Sequence, residues 1–328
     1  MIKKEFKGVF KKEFENFVTY KQSLGYYKNL DKKKIYEILS VNDFLDLYNL
    51  DEIKITEDML KKYLEQTEGL SQSTRHHLEC TFRQFSIFLK NQGYDDIYIS
   101  NECIIKMPRD YIPYVFSDDE IKRIFKTVDN YKFYRNQQLV IFYQTIFRLL
   151  YCTGLRLGEA LNLKVEDVDL ENNIIHIYSG KGNVSRIVPF KQSLGVWLIK
   201  YQKVFYKESD TYFFESPQNN GRRSNHNVSN FFRTKILPLC DIKVISQSEH
   251  TRGACVHTFR HTFACNALDQ MIKKGKDPYC ALPYLSVYLG HTSIVNTELY
   301  LRLTKQRYDE VIEAGHYIYE ESLGDYNE

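Results

Sequence analysis

From Phe10 to about Gly93 apolar residues return every three or four positions, through FENFVTYKQSLGYY, KKIYEILSVNDFLDLY, TEDMLKKYLEQ and STRHHLECTFRQFSIFLKNQGY. That period marks one face of a helix, so the pattern predicts four or five helices and no strand. The last of them has the clearest bounds. Ser73 or Thr74 offers an N-cap oxygen, Leu78, Phe82, Phe85, Ile87, Phe88 and Leu89 form a broad apolar face, and Gly93 supplies a stop. Arg75, His76, Arg83 and Lys90 fall partly on the other side, where they are either a solvated face or contacts to phosphate.

Between Ile97 and Phe116 the period fails, and Pro108 and Pro113 forbid a continuous helix. Residues 106–116 are therefore the expected linker between a helical domain at 1–105 and a second domain at 117–328. The second opens with Ser117-Asp118-Asp119-Glu120 ahead of IKRIF, a capping box whose acids suit the positive end of a helix dipole. A long helix is predicted through QQLVIFYQTIFRLLYCT to Gly154, and another from about Arg156 to Leu163. Residues 172–190 read differently: IIHIY and SRIVPF are strand-forming, and SGKGN between them carries two glycines for a reversal. A hairpin with Lys181 at its tip is expected. Beyond it the pattern is helical again, apart from an irregular stretch around SPQNNGRRSNHN. The fold expected is mainly α, with an N-terminal helical domain and a mixed α/β, mostly helical second domain containing a small β-sheet.

Composition adds limits to this picture. A chain of 328 residues with 43% hydrophobic content can bury a core in each of two domains. MIKKEFKGVFKKEFENF alternates Lys and Glu with aromatics and has no apolar core of a signal peptide, and no apolar run approaches the roughly 20 residues that cross a bilayer. The seven cysteines are odd in number, scattered and without a CxxC, which predicts neither a disulfide framework nor a zinc knuckle. A reducing cytoplasm is the expected location, with no membrane partner. The net charge of +3 hides an asymmetry: residues 1–110 sum to about 0, 121–310 to about +11 and 311–328 to about −5. The basic middle is a candidate polyanion surface.

Within that region, Arg156 and Glu159 in TGLRLGEALNL lie three apart, so the carboxylate can hold the guanidinium while its other donors point elsewhere. His257 and Arg260 in HTFRH share that spacing, with Phe259 and Phe263 on the buried side. His257 and His261 also have the spacing of helical zinc ligands, but Thr258 stands where a zinc protease needs Glu, and Arg260 is a permanent cation beside His261. No metal is expected there, and His261 is expected to pack or to make a buried hydrogen bond. Further on, Leu289-Gly290 closes a helix, His291 follows, and Tyr300 lies nine residues later.

Taken in order, T-G-L-R-x-x-E-x-L, a hairpin G-K-G-x-x-x-R-x-V-P, H-x-x-R-H-x-x-A, L-G-H and a Tyr nine residues beyond that His resemble the tyrosine recombinase (phage integrase) family. STRHHLECTFRQFSIFLKNQGY is similar to the last helix of that family's SAM-like core-binding domain. The resemblance implies a core-binding domain that grips double-stranded DNA and a catalytic domain that cleaves and rejoins it through a 3′-phosphotyrosyl link, without metal, ATP or other cofactor. It implies Tyr300 as nucleophile, Arg156 and Arg260 as forked donors to the phosphate, His257 and His291 for hydrogen bonding and proton handling, and Lys181 as the acid that protonates the leaving 5′ oxygen. Glu159 would support Arg156. Arg75, Arg83, Lys90, Arg186, Arg222 and Arg223 are the candidate DNA contacts.

Such chemistry needs these residue types: an attacked phosphodiester gains negative charge on its nonbridging oxygens, and pre-placed donors that meet it are the largest catalytic effect. A phenol of pKa about 10 needs help to lose its proton at neutral pH. The resemblance further implies a homotetramer on paired sites formed from monomers in solution, helped by accessory DNA-bending proteins, and association with the nucleoid when bound. The stretch MIKKGKDPYCALPYLSVYLGH makes the separation from His257 to His291 long, as an insertion similar to recombinases of some transposons, and favours mobile-element integration and excision. The acidic tail HYIYEESLGDYNE is either a helix that docks on a neighbouring protomer or disordered. A DNA-relaxing enzyme of the type IB topoisomerase kind, a non-catalytic DNA-binding protein of the same fold and a metal nuclease are the competing readings.

Overall fold

The computed structural model describes residues 5–25, 32–106, 112–133, 138–178, 185–205, 211–216, 221–243, 253–291 and 293–305. The chain forms two compact units, Met1–Asp110 and Tyr111–Glu328, whose boundary falls within the expected linker stretch.

Unit 1 holds four helices among the described residues: α1 (Lys11–Ser23), α2 (Lys32–Asp46), α3 (Glu57–Gln66) and α4 (Gln72–Asn91). The longest, α4, packs against the other three. Its cap is Ser71, whose Oγ accepts from Thr74 N at 3.3 Å, so the helix starts earlier than Ser73 or Thr74 suggests. Thr56 caps α3 in the same way, with Glu57 and Asp58 in the first turn. Aromatics fill the core. Phe85 stacks on Phe14 with ring centroids 3.7 Å apart and meets Phe17 edge-on. Residues 100–106 run back along α4, where Glu79 and Arg83 hold their backbone.

Unit 2 opens with α5 (Asp118–Asn130), where Ser117 Oγ accepts from Glu120 N and Glu120 accepts from Ser117 N, the reciprocal cap that the sequence spells out. Next comes α6 (Gln138–Thr153), buried on most sides because its sequence is apolar all round. It packs against α5 and two later helices, α8 (Gln192–Val204) and α11 (Thr258–Lys273). Between α6 and α8 lie α7 (Leu157–Asn162) and three short antiparallel strands in the order β1 (Val168–Asp169), β2 (Ile174–Ile177), β3 (Arg186–Pro189). The register pairs Ile175 with Val188, both fully buried. The expected hairpin is present; its tip, with Lys181, lies outside the described residues.

After α8, α9 (Asn225–Phe231) continues through a π-turn, Phe232–Ile236, into α10 (Leu237–Leu239). Then α11 pairs with α12 (Pro278–Leu289) and α13 (Val295–Lys305) over a separate apolar cluster of Leu268, Leu282, Leu285, Leu289, Leu301 and Leu303. The stretch expected as an insertion comprises the end of α11, a turn at Gly275 and α12. Asp277 caps α12 by accepting from Cys280 N at 2.9 Å, and Pro278 occupies its first position, so the chain has every local reason to restart a helix there.

Truncating Phe85 to Ala removes the ring at the centre of unit 1 and is expected to cost that unit about 3–5 kcal/mol. Urea unfolding followed by far-ultraviolet circular dichroism should show an earlier transition in Phe85→Ala, whereas the fluorescence of Trp197, the one tryptophan in the chain and part of unit 2, should keep its midpoint.

Candidate active site

Two glycines set the frame. Gly154 ends α6 at φ +63°, and a Cβ there would lie 2.5 Å from the Phe263 ring on α11. Gly290 ends α12 at φ +65°, and a Cβ there would lie 2.8 Å from Arg186 Nη1. Both positions combine a left-handed backbone with close approach, so glycine is required twice over.

The last carbonyls of α12 then meet three guanidiniums in succession. Arg186 Nε donates to Tyr288 O at 2.8 Å, Arg260 Nη2 to Leu289 O at 2.7 Å and Arg156 Nη2 to Gly290 O at 3.3 Å. Arg260 also donates through Nη1 to Gly154 O at 2.7 Å, which ties the end of α6 to the end of α12. Arg156 is the N-cap residue of α7, extended rather than helical, and Glu159 inside the helix accepts from its backbone N at 2.9 Å and its Nη1 at 2.8 Å. The same carboxylate accepts from Arg186 Nη1 at 3.2 Å and Nη2 at 2.8 Å. Three guanidiniums against this one carboxylate leave a positive surplus, as an anion-binding site requires.

Around this frame lie the imidazoles and the phenol. His291 Nδ1 is 2.9 Å from Thr297 Oγ1, and its ring runs nearly parallel to that of Tyr300, with centroids 6.2 Å apart. Tyr300 is 2% exposed, and its hydroxyl is 3.3 Å from His261 Nδ1. The buried hydrogen bond expected of His261 is therefore made to Tyr300. His257 sits exposed at the start of α11, edge-on to His261 at 4.7 Å.

Burial and charge act on each group. Burial lowers the Arg260 pKa to about 10, helped by Arg156, and leaves it cationic at neutral pH. Burial also lowers His291 to about 4, with Arg260, Arg156, Arg186 and His257 adding to the effect, so its imidazole is neutral. Tyr300 is raised to about 12 by burial, against the pull of Arg260 and Arg156. For Glu159 burial works upward, but the hydrogen bonds and charges of Arg186 and Arg156 prevail and bring it to about 2.

The structure thus gathers Arg156, Glu159, Arg260, His291 and Tyr300, with His257 at the edge. It turns Arg186 inward, with 6% of its side chain exposed and its donors on Glu159 and Tyr288. Arg223 is also inward, its guanidinium 4.1 Å from the Phe142 ring centroid and beside Tyr201 and Tyr143. Arg75 caps the end of α3 through Leu64 O and Thr67 Oγ1, Arg83 holds Ser100 O and Asn101 O, and Lys90 reaches Asp95 O. A long forked donor is what an exposed helix end or a returning loop can bind. Arg222 stays exposed and donates to Asn162 Oδ1 at 3.0 Å.

Two grooves share Arg156. One, of about 760 Å³, includes Asn162, Lys164, His176 and Tyr178; the other, of about 520 Å³, is lined by His226, Asn230 and Arg233 of the α9 segment together with His257. The α9 side chains escaped the sequence reading. Their signal was present in NHNVSNFFRTK, where Val228, Phe231 and Phe232 mark one face as buried and leave His226, Asn230 and Arg233 on the other.

A tyrosine and a row of arginines at a helix C-terminus, on a mostly helical unit with a three-stranded sheet, point to the integrase class of fold. Residues 115–307 match the family model of the phage integrase family, and the chain belongs to that family. It is similar to tyrosine recombinase XerA of Pyrococcus furiosus, 28% identical over 210 residues covering 63% of each chain. Against tyrosine recombinase XerC of Staphylococcus carnosus it is 25% identical over 287 residues, 85% of this chain and 88% of the relative. The chain spans a little under two thirds of the length of the curated relatives it matches first. Among solved structures, the XerH site-specific recombinase bound to its difH substrate superposes with a TM-score of 0.62 at 21% identity, over 91% of this chain and 83% of that one.

The pKa pattern has a stability consequence. The folded pKa of His291 lies below its ordinary 6.5, so unfolded chain takes up a proton that folded chain refuses until about 4; stability is full above 6.5 and falls through that window. Glu159 adds a second loss from its ordinary 4.5 down to about 2. Urea midpoints of Trp197 fluorescence across the acid range should drop in two stages, and His291→Asn should remove the upper one. Gly290→Ala, which displaces Arg186 from Glu159, should lower the midpoint at neutral pH by an amount equivalent to about 2 kcal/mol or more.

Proposed function

We propose that this chain is a site-specific DNA recombinase that cleaves and rejoins duplex DNA through a covalent phosphotyrosine, as in the integration and excision of mobile elements. The observation that carries the proposal is the convergence of Arg156, Arg260, His291 and Tyr300 from four separated stretches onto the end of α12. A scissile phosphate placed there meets two forked cations. Arg156 and Arg260 neutralise its nonbridging oxygens as charge builds, and neutral His291 donates a hydrogen bond without adding a third charge.

In the reaction the Tyr300 oxygen attacks phosphorus, and its proton passes to solvent water. The bond to the 5′ oxygen breaks, and that oxygen gains a proton from Lys181 at the hairpin tip, outside the described residues. The phosphodiester energy is kept in the 3′-phosphotyrosyl bond, so a 5′ hydroxyl can attack it and reverse the step without ATP. With its hydroxyl at His261 and 2% exposure, Tyr300 has to leave its buried seat before it can attack. DNA would bind across the two grooves that flank Arg156, with Arg222 at the rim of one and His226, Asn230 and Arg233 in the other. Phosphate contacts supply most of the affinity and make it salt-dependent.

Recombination joins two sites, which calls for a homotetramer on paired DNA assembled from solution monomers, with accessory DNA-bending proteins acting on the same substrate and the cytoplasm, on the nucleoid, as the place of action. The packed α11–α12 pair does not itself favour integration over resolution of DNA dimers.

Nicked duplexes built from sequences selected by binding out of a random pool provide the test. Incubated without metal or ATP and run on a denaturing gel, the native chain should give a covalent adduct that Tyr300→Phe lacks. Arg156→Lys and Arg260→Lys should slow adduct formation by about 10²–10³-fold, because a point cation cannot reproduce the fork. An adduct that survives in Tyr300→Phe, or none on any selected duplex, would refute the proposal.

A further inference from the structure

In unit 1, one face of α4 ties down residues 100–106. Glu79, fully buried, accepts from Ile104 N at 2.6 Å and Ile105 N at 2.8 Å; Arg83 donates to Ser100 O and Asn101 O; Gln72 donates to Lys106 O at 3.0 Å. Under this strap lie three groups of another chemistry. Cys80 Sγ is 3.3 Å from Cys103 Sγ and 3.5 Å from His76 Nε2, and the three atoms lie within 4.8 Å of one another. All three residues are half-buried, which leaves a path for entry. His76 Nδ1 is 2.5 Å from the carbonyl oxygen of Ile105. That contact keeps the ring proton on Nδ1 and turns the Nε2 lone pair towards the sulfurs, the arrangement that orients metal-ligating histidines.

From this geometry we infer a metal site in unit 1: His76, Cys80 and Cys103 bind one zinc ion, with a water in the fourth position. Two sulfurs and an imidazole nitrogen select a borderline-soft ion over a hard one such as Mg²⁺ or Ca²⁺. The dimensions agree. Tetrahedral zinc with its usual bond lengths sets sulfur and nitrogen about 3.5 Å apart and two sulfurs about 3.8 Å apart. The His76–Cys80 pair already has the first spacing, and Cys80 and Cys103 need to part by about half an ångström. His76 and Cys80 lie one helical turn apart, and the third ligand comes from the strap, so the ion would fasten the final segment of unit 1 to its central helix. The spacing escapes a search for CxxC because two ligands share a helix face and the third arrives 23 residues later.

The competing fate of the two thiols is a disulfide, which would leave His76 as a lone ligand with no thiolates to complete a metal site. Glu79 and Arg83 hold the strap independently of any ion, so ligand variants are expected to fold, as circular dichroism will check. Full-length protein, reduced and stripped of metal with a chelator that is then removed, is titrated with Co²⁺. One equivalent should bind, with thiolate-to-cobalt charge transfer in the near ultraviolet and visible bands of four-coordinate cobalt; Zn²⁺ should displace it and raise the thermal midpoint. Cys80→Ser and Cys103→Ser should abolish the bands and His76→Gln should weaken binding, whereas Cys152→Ser and Cys280→Ser, at exposed cysteines elsewhere, should not matter. Absence of the bands, their persistence in the Cys80→Ser/Cys103→Ser double variant, or a Cys80–Cys103 disulfide in isolated protein whose reduced form takes no cobalt would overturn the inference.

Discussion

A helix ends in carbonyls that have no partner within it, at the negative pole of its dipole, and α12 answers this with three guanidiniums on three consecutive carbonyls. Arg156, Arg186 and Arg260 come from the start of α7, from β3 and from α11, so one helix terminus draws together three separated elements of unit 2. Glu159 closes the set by binding two of the three cations. Without it, Arg156 and Arg186 would repel each other in a site largely removed from water; with it, the cluster keeps a positive surplus and a fixed shape. The site is therefore positively charged and rigid before any anion arrives. Under the proposed chemistry, donors that need no rearrangement when charge develops are the most effective ones.

The same cations shape their neighbours. They add to the burial that holds His291 neutral, which makes it a hydrogen-bond donor at physiological pH and not a further charge, and they counteract part of the burial that keeps the Tyr300 phenol protonated. Arg260 is the extreme case, 1% exposed and yet cationic. Its two carbonyl partners at Gly154 and Leu289 replace much of the hydration it has lost, and those carbonyls are free to serve only because glycine turns end the helices beside them.

Helical period and capping chemistry were legible in the residues: Ser117 to Glu120, the apolar run of α6 and the β2–β3 hairpin all follow from local rules. Arg156, Glu159, Arg260, His291 and Tyr300, which the structure brings together, could be picked out from the order of short motifs, because each stands at a particular spacing within its motif. Direction was not legible. Nothing in GRRSNHN or in SRIVPF says that Arg223 lies against Phe142 and Arg186 against Glu159, since both partners lie tens of residues away in sequence. Arg75 and Arg83 show the same limit: a basic residue opposite an apolar face looks solvated until a returning segment, here residues 100–106 or the end of α3, takes its donors. The α11–α12 turn illustrates the converse. Length alone marked this stretch as an insertion, while Asp277-Pro278 and the leucines of ALPYLSVYL already carried the signals that make it a packed helix.

The seat of Tyr300 also bears on how such a chain can evolve. Its ring shares an apolar cluster with Leu301 and Leu303 of α13 and with leucines of α11 and α12. If the phenol reacts only after that packing opens, each 1.4 kcal/mol of packing energy lowers the reactive population tenfold. Substitutions that loosen α13 would then quicken strand cleavage while eroding the fold, and those that tighten it would do the reverse. At Leu301 and Leu303 selection for speed and selection for durability therefore oppose each other, and a moderate fit of these side chains, not the tightest one, is what such a compromise favours.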